Sequence, residues 1–243
     1  MTAGAGPRVH TYGDGEAMLG FGPATGPQLL VLQPLFEEMN RTRALVSAIC
    51  RGLAQRGIGC WLPDLPGTGE SPQPLDTLGW RDWSDAVPTA IAATGVPISG
   101  SVAFRGGALL DGGVVGRHWR LAPTGGRSLL SDLRRSALAS GSDPATPAGY
   151  VLSADLAGAL AAADIVADDR TRTVRLVSDD RPADLRVDGI PVWRRPEPQQ
   201  DRVLAALLVD RDRMPSRLDS RLFITQTGFD QGQVSKLLRV IGE

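Results

Sequence analysis

Residues 96–113 read VPISGSVAFRGGALLDGG, and within them Ala103-Phe104-Arg105-Gly106-Gly107 has the build of a strand that turns sharply into a helix. The residue at the tip of that turn is a cation. A guanidinium, with a pKa above about 12, is neither a nucleophile nor a general base at neutral pH, but it is a fork for carboxylate or phosphate. Arg105 therefore marks a position that holds anions rather than one that makes bonds. Two kinds of acceptor are open to it: an internal carboxylate from Glu37, Glu38 or Asp180, or an anionic ligand. The internal pair is favoured, because a buried arginine without a partner is costly. On that reading Glu37 or Glu38 closes over Arg105, and a structure with no carboxylate within hydrogen-bonding reach of Arg105 would overturn it.

The elements that must position this turn follow from the hydrophobic pattern. At 243 residues, 42% hydrophobic and 22% charged, the chain suits one α/β domain with a sizeable core. A net charge of -1 gives no electrostatic case for nucleic acid or an anionic membrane. No stretch approaches the ~20 apolar residues of a membrane span. The opening MTAGAGPRVHTYGDGEAM lacks the basic and apolar regions of a signal peptide, so a cytoplasmic location is expected. QLLVL at 28–32 reads as a buried strand. A helix capped by Asn40 or Thr42 follows, with Leu45, Val46, Ile49, Cys50 and Leu53 at helical spacing and Gly57 at its end. A strand over 58–62 opens into a Gly/Pro loop, and a helix over 77–94 carries Trp80, Trp83 and a potential break at Pro88. Strands over 97–103 and 118–121, helices over 128–139 and 153–163 with Ser153 as N-cap, and weaker strands at 174–177 and 191–193 complete the domain. Strand and helix alternating in this way predict a mostly parallel sheet with crossover helices. Cys50 and Cys60 are too few for a disulfide framework or metal site and read as buried, reduced thiols; no cofactor or metal is expected.

The run Pro63-Asp64-Leu65-Pro66-Gly67-Thr68-Gly69-Glu70-Ser71 looks like the D-x-x-G-x-G-x-S loop of many α/β hydrolases. The turn at Arg105 resembles their nucleophile elbow, in which the residue after the tip points its N–H toward an oxyanion. The pieces LFEEMNRTR (35–43), LPDLPGTGES (62–71), AFRGGALL (103–110), SLLSDLRR (128–135), AGYVLSADL (148–156) and GIPVWRRPEP (189–198) together resemble the exosortase A system-associated hydrolase 2 family. The likeness runs in order over roughly residues 25–205. It implies an α/β-hydrolase fold with a minimal cap or none and an association with bacterial exosortase and exopolysaccharide loci. In that family an arginine commonly occupies the elbow, so Arg105 reads as a family trait. Residues 1–210 are expected to form the hydrolase-like domain, and 211–243 an extra tail serving as an edge element or partner arm.

A serine triad in this fold follows the order nucleophile, acid, histidine. The two histidines, His10 and His118, both fall too early, and each is expected to be a surface or satisfied side chain. Ser99 and Ser101 lie inside the strand, short of the tip, and Ser71 has no histidine to activate it. Asp179 and Asp180 stand where such folds keep an acid, as cleft residues or as solvated loop aspartates. Phe36 is placed to offer one oxyanion-hole N–H and Gly106 the other, and Trp193 stands near the missing histidine's position. Three functions remain open. One is a noncatalytic protein that binds a small anionic or acyl ligand, or a protein of an exosortase/exopolysaccharide system. The second is an ester or thioester hydrolase using Arg105, Asp180 and Glu37 or Glu38 in a nonstandard site. The third is a scaffold or homo-oligomer that uses the tail.

Overall fold

The computed structural model describes residues 6–141, 146, 149–174, 185–187 and 190–192. Seven strands form one sheet: β1 (Arg8–Tyr12), β2 (Glu16–Phe21), β3 (Gln28–Leu32), β4 (Gly59–Pro63), β5 (Gly100–Phe104), β6 (Arg117–Leu121) and β7 (Thr171–Val174), in the order β1-β2-β4-β3-β5-β6-β7. Strands β3 to β7 run parallel, while β2 is antiparallel to both β1 and β4. A separate antiparallel pair is formed by β8 (Leu185–Val187) and β9 (Ile190–Val192). The continuous burial of β3, β4 and β5 is that of parallel strands covered on both faces.

Four helices provide the cover: α1 (Glu37–Ala54), α2 (Trp80–Ala93), α3 (Gly126–Ser140) and α4 (Ala154–Ala162). Alternate strand residues point to opposite faces, and the core divides accordingly. Leu29, Val31, Val102 and Phe104 pack with Val46, Ile49 and Leu53 of α1. Leu30, Leu32 and Ala103 pack with Trp83 and Val87 of α2, Leu129 and Leu133 of α3, and Leu156 and Leu160 of α4. Cys50 and Cys60 are buried free thiols in the α1 layer. Among the described residues no helix is long and apolar enough to cross a membrane.

Several local details differ from the sequence reading. The hairpin β1–β2 is an addition to it, and it places His10 within the sheet, opposite Met18. Helix α1 begins at Glu37, so Asn40 and Thr42 lie inside it instead of capping it; the Thr42 hydroxyl donates to the Glu38 carbonyl, 2.7 Å. Its N-cap is Phe36, at φ 59°, a position that side-chain capping preference would never select. Burial explains the choice. The Phe36 ring is 1% exposed and packs against Trp83 and Tyr150, with centroids 5.6 and 5.4 Å away. Helix α2 continues through Pro88, whose missing N–H would have bonded to the carbonyl of Ser84 on the exposed face, where water can replace it. Ser153 caps α4 as expected, accepting from Leu156 N–H at 3.0 Å. Asp155 in the next turn accepts from Trp80 N–H at 3.1 Å, so α4 also caps α2.

Candidate functional site

Strand β3 has β4 on one side and β5 on the other, so the chain leaving β3 and the chain leaving β5 diverge. In open α/β sheets the crevice at such a switch point, beyond the carboxyl ends of the strands, is where ligands bind. Three non-glycine residues of the described chain adopt positive φ, and all three follow strands at this end: Phe36 (59°) after β3, Arg105 (51°) after β5 and Ala122 (44°) after β6. Each such residue costs on the order of 1–3 kcal/mol and persists only where the surroundings over-determine it. Hydrogen bonds link the three segments. The Arg105 Nε donates to Glu38 Oε1 at 2.7 Å and its Nη1 to the Ala122 carbonyl at 3.1 Å. The N–H of Thr124 donates to the Arg105 carbonyl at 3.3 Å.

The tip is tight because its neighbours are glycines. A Cβ on Gly107 would stand 2.5 Å from the Gln33 carbonyl oxygen and 2.7 Å from that of Leu32. Only glycine lets the turn press against the chain leaving β3 in this way. Behind the tip there is no long helix. Two 3-10 turns, Arg105–Leu109 and Asp111–Gly113, make the whole connection to β6. The Arg105 and Glu38 side chains are 29% and 31% exposed, so the pair is open to solvent. Glu37, next to Glu38, instead pairs with Arg41 along the outer face of α1 at 3.2 Å. Among the described residues, no hydrogen bond is made by the backbone N–H of Phe36 or of Gly106.

The Gly-rich loop braces this end of the sheet. Asp64, 3% exposed, accepts from Gln33 Nε2 at 2.8 Å, Arg43 at 3.0 Å and Glu70 N–H at 3.1 Å. Arg43 is thereby turned inward. The Ser71 hydroxyl accepts from the N–H groups of Gly67 (2.8 Å) and Gln73 (3.2 Å), which makes it a loop staple. Trp83 Nε1 donates to the Pro66 carbonyl at 2.8 Å, fixing the loop to α2.

A second polar cluster lies beneath the tip, and sequence reasoning did not assemble it. Register pairs Ser101 with His118 and Ala103 with Arg120, so Ser101, His118 and Arg120 share one face of the sheet. The Ser101 hydroxyl meets His118 Nδ1 at 2.8 Å, and Asp111 Oδ2 lies 3.6 Å from the same nitrogen. Arg120 forks onto both oxygens of Asp111, with its Nη2 2.6 Å from Oδ1, and its Nη1 donates to the Val166 carbonyl. Ser101, Asp111, His118 and Arg120 are at most 3% exposed. Burial is the main cause that holds the His118 pKa below its ordinary value; Arg120 adds to the effect and Asp111 opposes it. Serine, histidine and aspartate are present, but not as a proton relay. The hydroxyl and the carboxylate address the same ring nitrogen, whereas a triad needs them on opposite nitrogens. The alternation of Ser101 with Ala103 and of His118 with Arg120 was readable, but the register that joins the strands was not.

The structure thus brings Phe36, Glu38, Arg105 and Gly106 together and sets Glu37 on the outer face. Asp179, Asp180 and Trp193 lie outside the described residues, as does the tail from residue 211. Among the described residues no group of three or more His, Cys, Asp or Glu side chains could hold a metal ion. The strand order, the antiparallel second strand and the strained turn after β5 define an α/β-hydrolase fold.

No family model and no curated protein matches the chain. Solved structures similar to it include an epoxide hydrolase from Vigna radiata, at 20% identity and a TM-score of 0.39, with 50% of this chain and 39% of that one covered. Est1E from Butyrivibrio proteoclasticus with bound ferulic acid is similar at 14% identity and a TM-score of 0.47, covering 64% of this chain and 72% of that one. A proline iminopeptidase-related protein from Thermus thermophilus is similar at 21% identity and a TM-score of 0.42, covering 60% and 55%. The chain spans less than half the length of the epoxide hydrolase.

Proposed function

We propose that this chain is a pseudohydrolase of a bacterial exosortase/exopolysaccharide system, which keeps the elbow of an α/β hydrolase and uses it to hold a ligand or a partner protein. The observation that carries the reading is the identity and bonding of the tip residue. Arg105 occupies the strained elbow position and donates to Glu38 at 2.7 Å, so the position that would hold a nucleophile holds a paired cation. Neither histidine supports proton transfer there: His10 is on the edge strand β1, and His118 is buried with its Nδ1 engaged by Ser101. The Phe36 and Gly106 N–H groups can still hold an oxygen of an anionic or acyl ligand without any bond being broken. The system assignment rests on the sequence resemblance over residues 25–205.

The test is turnover of a panel of short and medium acyl esters and thioesters by the wild-type chain, Arg105→Ala and Asp180→Ala, prepared identically. All three are expected to match the blank while remaining folded. Turnover above the blank that falls in either variant would instead establish a nonstandard hydrolase built on Arg105 and a carboxylate.

A further inference from the structure

The Arg105–Glu38 contact is an incomplete ion pair. An arginine and a carboxylate in their strongest arrangement form two parallel bonds, from Nε and Nη2 to the two oxygens. Here a single bond is made, from Nε to Oε1. Nη1 is taken by the Ala122 carbonyl, and among the described residues Nη2 has no partner. Both side chains are about one-third exposed, so the pair is screened and weakly held. The guanidinium, by contrast, has a second hold in its bond to the Ala122 carbonyl, whereas the Glu38 carboxylate makes no other hydrogen bond among the described residues. The fork therefore keeps one anchor when the carboxylate on it leaves.

We propose that Glu38 is a built-in competitor for a small organic monocarboxylate, which displaces it and docks on Nε and Nη2 of Arg105. This rests on the ligand-holding reading above and adds the chemical class of the ligand and the group that controls its access. The charge favours a monoanion. A displaced Glu38 stays in the first turn of α1, so an incoming dianion such as phosphate is repelled by its charge more strongly than a monoanion is. The probe is kept short because the small apolar pocket beside the elbow, lined by Leu32, Leu35, Leu65, Gly107 and Leu110 among others, has neither Arg105 nor Glu38 in its lining. The unbonded N–H groups of Phe36 and Gly106 add donors suited to a carboxylate oxygen.

Calorimetric titration of the full chain with butyrate and with inorganic phosphate tests this, with thermal unfolding confirming that each variant is folded. Glu38→Gln is expected to bind butyrate at least about tenfold more tightly than the wild type. Glu38→Asp, which keeps the charge and withdraws it by one methylene, should shift affinity in the same direction. Adding Arg105→Gln to Glu38→Gln should abolish the gain, and phosphate should bind the wild type more weakly than butyrate does. Equal butyrate affinities in the wild type and Glu38→Gln, both dependent on Arg105, would overturn the competitor while leaving a ligand-holding elbow in place. No butyrate binding by any folded variant, or tighter binding of phosphate, would overturn the ligand class. Ester turnover that Arg105→Ala removes would instead sink the pseudohydrolase reading itself, an outcome distinct from the others.

Discussion

Arg105 and Arg120 each hold a carboxylate, one just past the end of β5 and the other within β6, yet the two pairs have little else in common. Arg120 is buried, forks onto both oxygens of Asp111 and sits on ordinary strand backbone. Arg105 is part-exposed, makes one bond to Glu38 and stands at a positive φ. A buried charge pair that loses one member leaves the other stranded in low dielectric, whereas an exposed pair that separates is rehydrated. The same chemistry is thus structural in one place and free to exchange partners in the other.

The sharpest way to break the comparison is to remove one carboxylate from each pair. Asp111→Ala should destabilise the fold by about 3–5 kcal/mol in denaturant unfolding, because Arg120 keeps its charge without a partner. A loss as small as that expected at Glu38 would mean that the two sites do not differ in kind. Gly107→Ala should cost about 1–3 kcal/mol, since its Cβ meets backbone oxygens that cannot yield as a side chain would. Comparing Arg105→Gly with Arg105→Ala isolates the strain at the tip, and glycine should be the more stable by roughly 1–2 kcal/mol because φ 51° penalises any Cβ.

Acid should act through the buried cluster. The His118 pKa is lowered in the fold, chiefly by burial, relative to about 6.5 in the unfolded chain. As pH falls through about 6.5 the unfolded chain takes up a proton that the folded chain resists, so stability should fall, by at most about 1.4 kcal/mol per pH unit. His118→Gln should flatten that slope in unfolding measurements made between about pH 7.5 and 5, the range that brackets the unfolded histidine's titration. The smallest effect belongs to Glu38→Gln, which should alter stability by less than about 1 kcal/mol.

The parts legible in the sequence were those written in a single element. The apolar runs of β3 and β5, the helical spacing in α1 and the Ser153 cap each depend on a few neighbouring residues. So does the turn at Arg105, with small residues after a buried strand. Hairpin β1–β2 escapes a local reading although Asp14-Gly15 supplies a turn signal, because Tyr12 and Glu16, two polar-tipped residues beside the turn, are both buried and obscure the alternation. The start of α1 is hidden for a related reason: Phe36 is held by Trp83 and Tyr150 from distant parts of the chain, and no local preference encodes that. The choice of Glu38 over Glu37 for Arg105 turns on one helical step of about 100°. That step could be assigned only once the first helical residue was known. The Ser101, Asp111, His118 and Arg120 cluster needed the register of two strands, which neither strand carries alone.

The short connection from β5 to β6 has an electrostatic consequence. A full α-helix after an elbow would aim its N-terminus at the site and supply the equivalent of about half a positive charge. The 3-10 turn over Arg105–Leu109 has too few aligned peptide units to do so. Arg105 puts a whole positive charge at that same point, on a side chain that can be paired, neutralised or handed from one anion to another. A fixed field has been exchanged for one that Glu38 can switch off.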